Sequence, residues 1–143
     1  MSAGQAIARP AGARGFWLGV AAYVVPSFPI AYLWHLVVFA PAYRELAIYR
    51  ADVIVPFGLM SMLIQGSVFS WIYPRVFSRG ASVLRSGLLY GTGLAALSWS
   101  FTTLAVAAKH PMTSVPTFLL LETGFTVLQF LVVGPLIALA HRN

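Results

Sequence analysis

Four long stretches almost free of charged residues constrain the fold more than any other feature of this chain. They cover residues 16–40, 52–73, 86–108 and 115–140. A helix needs about 20 apolar residues to cross a bilayer core ~30 Å thick. The sequence therefore predicts an all-α membrane protein, built as a bundle of four transmembrane helices.

The charge content excludes several classes of protein. Charged residues make up 8% of the chain, against roughly 25% in an average soluble domain. So low a charge content excludes a soluble enzyme and a disordered chain. A nucleic-acid-binding domain is excluded as well, because the basic residues stand singly at the ends of apolar stretches. The chain has no cysteine, which excludes disulfide frameworks and thiolate metal sites. We predict the lipid bilayer as the partner, no nucleic acid and no cofactor.

The distribution of Lys and Arg predicts that both termini are cytoplasmic. Six basic residues fall on the side of the termini and the second loop, against three in the first and third loops. We expect residues 1–14 to be a flexible cytoplasmic tail and residues 15–143 a single domain. The predicted location is a cell membrane, as a multi-pass protein of the bacterial inner membrane. Proline at 41, 74 and 111 is expected to end helices.

Polar residues within the spans lie on defined stripes. Glu122, Thr126 and Gln129 follow one another at spacings of four and three, and Ser61 and Gln65 are four apart. Because a charged carboxylate in hydrocarbon costs on the order of a few kcal/mol, Glu122 should face the bundle interior, a partner or a water-filled cavity.

Distance from the span ends predicts two polar layers. Glu122 lies six residues past Pro116 and His35 six before Pro41, so each is ~9 Å deep at the helical rise. Thr102 falls near the same level, which predicts a first layer of His35, Glu122 and Thr102. Gln65 and Gln129 lie ~20 Å deep and form a candidate second layer, with Ser98 or Ser100 nearby.

Two interpretations of these layers stay open. A Glu–His pair can carry a proton, or can help to bind a cation or a polar headgroup. Alternatively, Glu122 and His35 lock the helices together by hydrogen bonding. One His and one Glu supply too few ligands for a metal site, so none is predicted.

The third span carries a stripe of small residues that serves helix packing. Its face is either a dimerisation surface or an internal contact of the bundle. The stripe consists of Gly87, Gly91, Ala95, Ser98, Thr102 and Ala105.

Two segments near the first span have alternative interpretations. Pro26 and Pro29 predict a helix kink, although broken helices of this kind also bind substrates in transporters. Residues 42–50 are expected to form a short interfacial helix that caps the outer polar layer, or else a solvated loop.

The end of the first span resembles that of small bacterial four-helix membrane proteins catalogued as a domain of unknown function. The resemblance lies in residues 30–35, Ile-Ala-Tyr-Leu-Trp-His, followed by Val38, Phe39 and Tyr43. It covers about a quarter of the chain and implies the four-helix fold without an activity. Small multidrug exporters are similar in span count and in having an intramembrane Glu, but their carboxylate is in the first helix and here it is in the fourth.

Two hypotheses of function follow. The first is a non-catalytic accessory or structural membrane protein with a buried polar layer, acting as a homodimer or within a larger membrane complex. The alternative is a small homodimeric transporter or channel, coupled to protons or cations through Glu122. An enzyme ranks third, since the spans lack a Ser/His/Asp set and a carboxylate pair at one depth.

Overall fold

The computed structural model describes residues 12–77 and 81–142, and within these ranges it contains helices and no strand. Four of its helical segments are long and apolar enough to cross a membrane: Ala13–Val38, Val55–Val76, Val83–Lys109 and Val115–Ala140. The predicted helical fold with four apolar spans is therefore confirmed. Most of the predicted tail lies outside the described residues, as does Arg79, and helix already begins at Ala13.

Two of the spans contain a π-helical turn, and two short helices complete the fold. The elements are α1 Ala13–Leu33, which continues as the π turn Trp34–Val38; α2 Ala40–Leu46; α3 Val55–Val76; α4 Val83–Trp99, the π turn Ser100–Leu104 and α5 Ala105–Lys109; and α6 Val115–Ala140.

Local sequence signals explain where the helices begin. Pro56 and Pro116 occupy the first turn of α3 and α6, where a missing backbone N–H costs nothing. Ser82 and Ser114 cap α4 and α6, and each accepts a hydrogen bond from the backbone N–H three residues further on. Because of these signals, the second span begins at Val55 rather than at 52, and the third begins three residues earlier than predicted.

Proline is a weaker stop signal here than predicted. Pro111 does follow the end of α5. Pro41 instead lies in the first turn of α2, after a break at Phe39, and Pro74 lies inside α3, which continues to Val76. A proline so close to a helix end removes a single backbone bond, so the last turn survives.

Close backbone packing joins α4 to α6. A Cβ atom built on Gly87 would lie 2.5 Å from the Cα of Pro135, and one on Gly91 would lie 2.5 Å from the carbonyl oxygen of Phe130. This part of the small-residue stripe therefore packs inside the bundle, as in membrane helix pairs that lack bulky side chains. Ala95 is half-buried against the same core. α6 also contacts α1, and α1 contacts α3.

The two ends of the bundle carry different segments. The loop end carries the first and third loops, and the terminal end carries the beginning of α1, the end of α3, the beginning of α4 and the end of α6. At the loop end, Thr113 donates from its backbone N–H to the carbonyl of Leu46 (3.3 Å) and from Oγ1 to that of Glu45 (2.7 Å), so the first and third loops meet. At the terminal end, the Ser70 hydroxyl donates to the carbonyl of Phe16 (2.7 Å).

Candidate functional site

Glu122 lies on α6 near the loop end and is enclosed by two partners. The Tyr43 hydroxyl donates to its Oε1 atom at 2.6 Å, and Nε2 of His35 lies 3.3 Å from the same oxygen. Only 7% of the residue is exposed. Glu122, His35 and Tyr43 are called the acid cluster below.

The local backbone places both partners. His35 belongs to the π turn at the end of α1, and its Nδ1 atom donates to the carbonyl of Ala31 at 2.9 Å. π-helical turns are frequent at functional sites. After this turn the chain reverses into α2, whose Tyr43 is fully buried against Phe118. α2 ends at Ala47, which adopts the left-handed conformation (φ 57°).

The hydrogen bonds fix how many protons the His35–Glu122 pair holds. Because a carbonyl only accepts, the proton of a neutral His35 ring sits on Nδ1. Nε2 then meets Glu122 only with one proton between them. The proton belongs either to an imidazolium facing a carboxylate or to a carboxyl group facing a neutral imidazole.

Aromatic rings surround the acid cluster. The His35 ring lies 4.4 Å from that of Phe125 and 4.9 Å from that of Tyr43, which stacks on Tyr49 at 4.9 Å. Burial, and to a smaller extent the charge of Glu122, raises the pKa of the Tyr43 and Tyr49 hydroxyls. Both phenols therefore stay protonated and act as donors toward negative charge.

Thr102 does not join the acid cluster. It is exposed, and its hydroxyl donates to the carbonyl of Ser98 on its own helix at 2.9 Å. Its neighbour Thr103 is the buried one. Depth arithmetic gives the height of a residue but not the direction in which it faces, and the π turn over these residues alters that direction.

Gln65 and Gln129 meet in the middle of the bundle through Tyr23. The Tyr23 hydroxyl donates to Oε1 of Gln65 at 2.5 Å and accepts from Nε2 of Gln129 at 3.3 Å. Gln129 also donates to Ser27 at 3.0 Å. These four residues are called the amide layer. Ser100 does not take part, since its hydroxyl donates to the carbonyl of Leu97.

A third polar group at the terminal end was missed by the sequence analysis. Nε2 of His141 lies 3.0 Å from the Ser70 hydroxyl, and the Tyr73 and Ser86 hydroxyls are 2.8 Å apart. The His141 ring stacks on that of Tyr73 at 5.4 Å. We call these four residues the terminal cluster. The sequence offered one signal for this group: the chain has only three histidines, and His141 is one of them.

The hydrogen bonds of His141 favour its neutral form. The Ser70 hydroxyl already gives its proton to a carbonyl, so Nε2 must donate to Ser70. Nδ1 is buried and has no partner among the described residues. Protonation of Nδ1 would bury an unsatisfied donor, and burial accordingly lowers the pKa of His141.

A cavity of about 510 Å³ lies between α1 and α3 at the loop end. His35 forms part of its wall, and Glu122 does not. The rest of the wall is mainly apolar and consists of Phe28, Ala31, Tyr32, Leu36, Ile48, Tyr49, Arg50, Val53, Ile54, Val55, Gly58 and Met62. The cavity therefore reaches the acid cluster only through the imidazole.

Over residues 12–77 and 81–142, no group of three or more His, Cys, Asp or Glu side chains is placed to hold a metal ion.

Comparisons with protein-family models, with curated proteins and with solved structures find no match to this chain. The resemblance to small four-helix bacterial membrane proteins stays a prediction.

Proposed function

We propose that this chain is a non-catalytic accessory membrane protein whose polar layers hold four lipid-embedded helices in one fixed arrangement. The observation that carries the proposal is the environment of Glu122. Its carboxyl group has hydrogen-bond partners from two other elements and stays apart from the cavity. An acid that binds a transported ion needs a path to it, whereas an acid that fixes helices needs partners.

The amide layer supports the same proposal. It links α1, α3 and α6 across the middle of the bundle by hydrogen bonds between side chains. Such bonds between membrane helices typically contribute roughly 0.6 kcal/mol each. Several of them at one depth favour a fixed helix arrangement over a water-filled path along the bundle axis.

A second function is favoured by one specific observation. His35 contacts Glu122 and also forms part of the cavity wall. A proton that enters through the cavity would therefore reach Glu122 through the imidazole. This arrangement suits the alternative hypothesis of a homodimeric transporter or channel that is coupled to protons or cations.

Flux in reconstituted vesicles distinguishes the two functions. For an accessory protein, wild-type proteoliposomes should carry protons and monovalent cations no faster than protein-free vesicles, at acidic and alkaline pH alike. The Glu122→Gln variant should behave identically. A pH-dependent flux that the wild type supports and Glu122→Gln abolishes, with both proteins folded, would replace the first proposal by the second.

The proposal includes a membrane orientation and a set of partners. Both termini lie in the cytoplasm, the membrane is the bacterial inner membrane, and the chain works as a homodimer or within a larger complex. Support for the orientation comes from the excess of Lys and Arg on the side of the terminal end. Large apolar side chains that point outward, such as Leu120 at 75% exposure, suit contact with lipid.

The absence of native cysteine gives a clean test of orientation. Glu45→Cys and Ala81→Cys place a unique thiol at exposed positions on opposite ends of the bundle. A membrane-impermeant maleimide should label Glu45→Cys in intact cells and Ala81→Cys only after permeabilisation. The reverse pattern would contradict the orientation.

A further inference from the structure

The cavity between α1 and α3 has an apolar wall with one polar rim. It extends along α3 from Val55 to Met62, a distance of ~10 Å at the helical rise. Several apolar residues of its wall that lie within the spans are also exposed on the outer surface, including Tyr32 and Val55. In a membrane these residues face acyl chains, so the cavity opens sideways into the bilayer.

The polar rim offers hydrogen-bond donors. The Arg50 guanidinium forms no ion pair or hydrogen bond with any residue in the described ranges, although Asp52 is two residues away. The Tyr49 hydroxyl, kept protonated by its surroundings, likewise has no hydrogen-bond partner among them. Both nitrogens of His35 are already engaged inside the protein. A ligand at this rim therefore meets a cation and a phenol donor, and it meets no carboxylate of the wall.

The volume suits one ligand rather than a large molecule. A cavity of about 510 Å³ falls within the roughly 300–1,000 Å³ of sites that hold a single small ligand. Its apolar wall accommodates part of a hydrocarbon chain, and the remainder can extend through the lateral opening. The donors at the rim select a negatively charged head by charge complementarity.

We propose that this cavity binds one single-chain anionic amphiphile from the bilayer, with its head at Arg50 and Tyr49 and its chain between α1 and α3. The proposal stands apart from the role of Glu122, because it depends on the wall and the rim alone. It concerns a regulatory or structural lipid rather than a reaction.

The probe is oleate that carries a diazirine on its chain, added to the protein in nanodiscs of uncharged lipid. Photolysis should place adducts on the facing segments of α1 and α3, with saturation at one adduct per protein molecule. Unlabelled oleate should compete, and oleyl alcohol and oleylamine should compete poorly. Adducts spread over all four spans in proportion to exposure, or equal competition by oleyl alcohol, would overturn the proposal.

Two matched pairs of variants test the site. Gly58 and Gly93 are both exposed helical glycines at which an added Cβ atom would meet open space, but only Gly58 lines the cavity. Gly58→Phe should abolish saturable labelling, and Gly93→Phe should leave it unchanged. Equal labelling of these two variants would contradict the proposal.

The second pair tests the head. Arg50→Gln should raise the half-saturating oleate concentration roughly tenfold, whereas Arg44→Gln, exposed and outside the wall, should not. This comparison tests the proposed lipid site even if Gly58→Phe fails to fold. An unchanged half-saturating concentration in Arg50→Gln would overturn the assignment of the head.

Discussion

The two ends of the bundle are held together in different ways. At the loop end, a carboxyl group and an imidazole share a proton, and the Tyr43 phenol donates to the same carboxyl oxygen. At the terminal end, α4 and α6 approach closely at glycines, beside hydroxyl groups and a neutral imidazole. The comparison teaches that the loop end depends on hydrogen bonds to a buried carboxyl group, whereas the terminal end combines hydroxyl and imidazole hydrogen bonds with direct contact between backbones at small residues.

The largest effect is expected from breaking the close approach of α4 to α6. Gly91→Leu would place a side chain against the carbonyl of Phe130, 2.5 Å from the first added atom. Backbone atoms cannot rotate away, so the variant should lose about 3 kcal/mol of unfolding free energy. Gly93→Leu, whose added atom meets open space, is the matched control. Thermal unfolding in mild detergent measures both, and equal melting temperatures would contradict the packing.

The loop end should respond to loss of its carboxyl group rather than loss of its charge. Glu122→Leu leaves the Tyr43 hydroxyl and Nε2 of His35 without their partner, which should cost about 2 kcal/mol. Because Tyr43 and His35 contact the same oxygen of Glu122, the amide of Glu122→Gln retains one of the two hydrogen bonds, accepting from Tyr43 or donating to Nε2, and this variant should lose less stability than Glu122→Leu. Equilibrium unfolding of the two variants provides the test. Equal losses would mean that the charge itself is required.

A smaller effect on stability should arise at the terminal end when the pH of the solution is lowered. The unfolded chain takes up a proton on His141 near its ordinary pKa of about 6.5, whereas burial lowers that pKa in the folded protein. The contribution to stability is therefore complete above about pH 6.5 and is lost as the pH falls toward the lower folded value.

Two histidine variants isolate this contribution. His141→Gln should flatten the acid-side fall in melting temperature by a few degrees, and His110→Gln, which replaces an exposed histidine, should not. An identical fall in the wild type and in His141→Gln would show that the pKa of His141 is the same in the folded and in the unfolded protein, which would contradict its burial.

Much of the fold and part of the candidate site could be predicted from the sequence. Charge-free length identifies the spans, and distance from the span ends places His35 level with Glu122 and Gln65 level with Gln129. The direction in which a side chain faces is harder to predict. Depth pointed to Thr102, but Thr103 is the residue that faces inward. Tyr43 comes from α2, whose path depends on tertiary packing with Phe118.

The terminal cluster shows a different limit of sequence reasoning. His141 stands beside Arg142 at the end of a span, a position typical of a residue at the membrane surface. Nothing local indicates that its ring turns inward to Ser70. Hydroxyl groups in apolar spans also satisfy their own helix backbone, as Ser67 does. Their tertiary contacts therefore have no periodic signal.

A double-mutant cycle between Tyr43 and Glu122 tests the enclosure of the acid most directly. Unfolding free energies of Tyr43→Phe, Glu122→Leu and the double variant give the coupling between the two side chains, because each substitution removes one side of the hydrogen bond. We expect a coupling of about 1 kcal/mol, and none when Tyr32→Phe, at an exposed tyrosine, replaces Tyr43→Phe. A coupling of zero for Tyr43 and Glu122 would mean that the carboxyl group lies elsewhere, and the account of a bundle locked around its buried acid would be wrong.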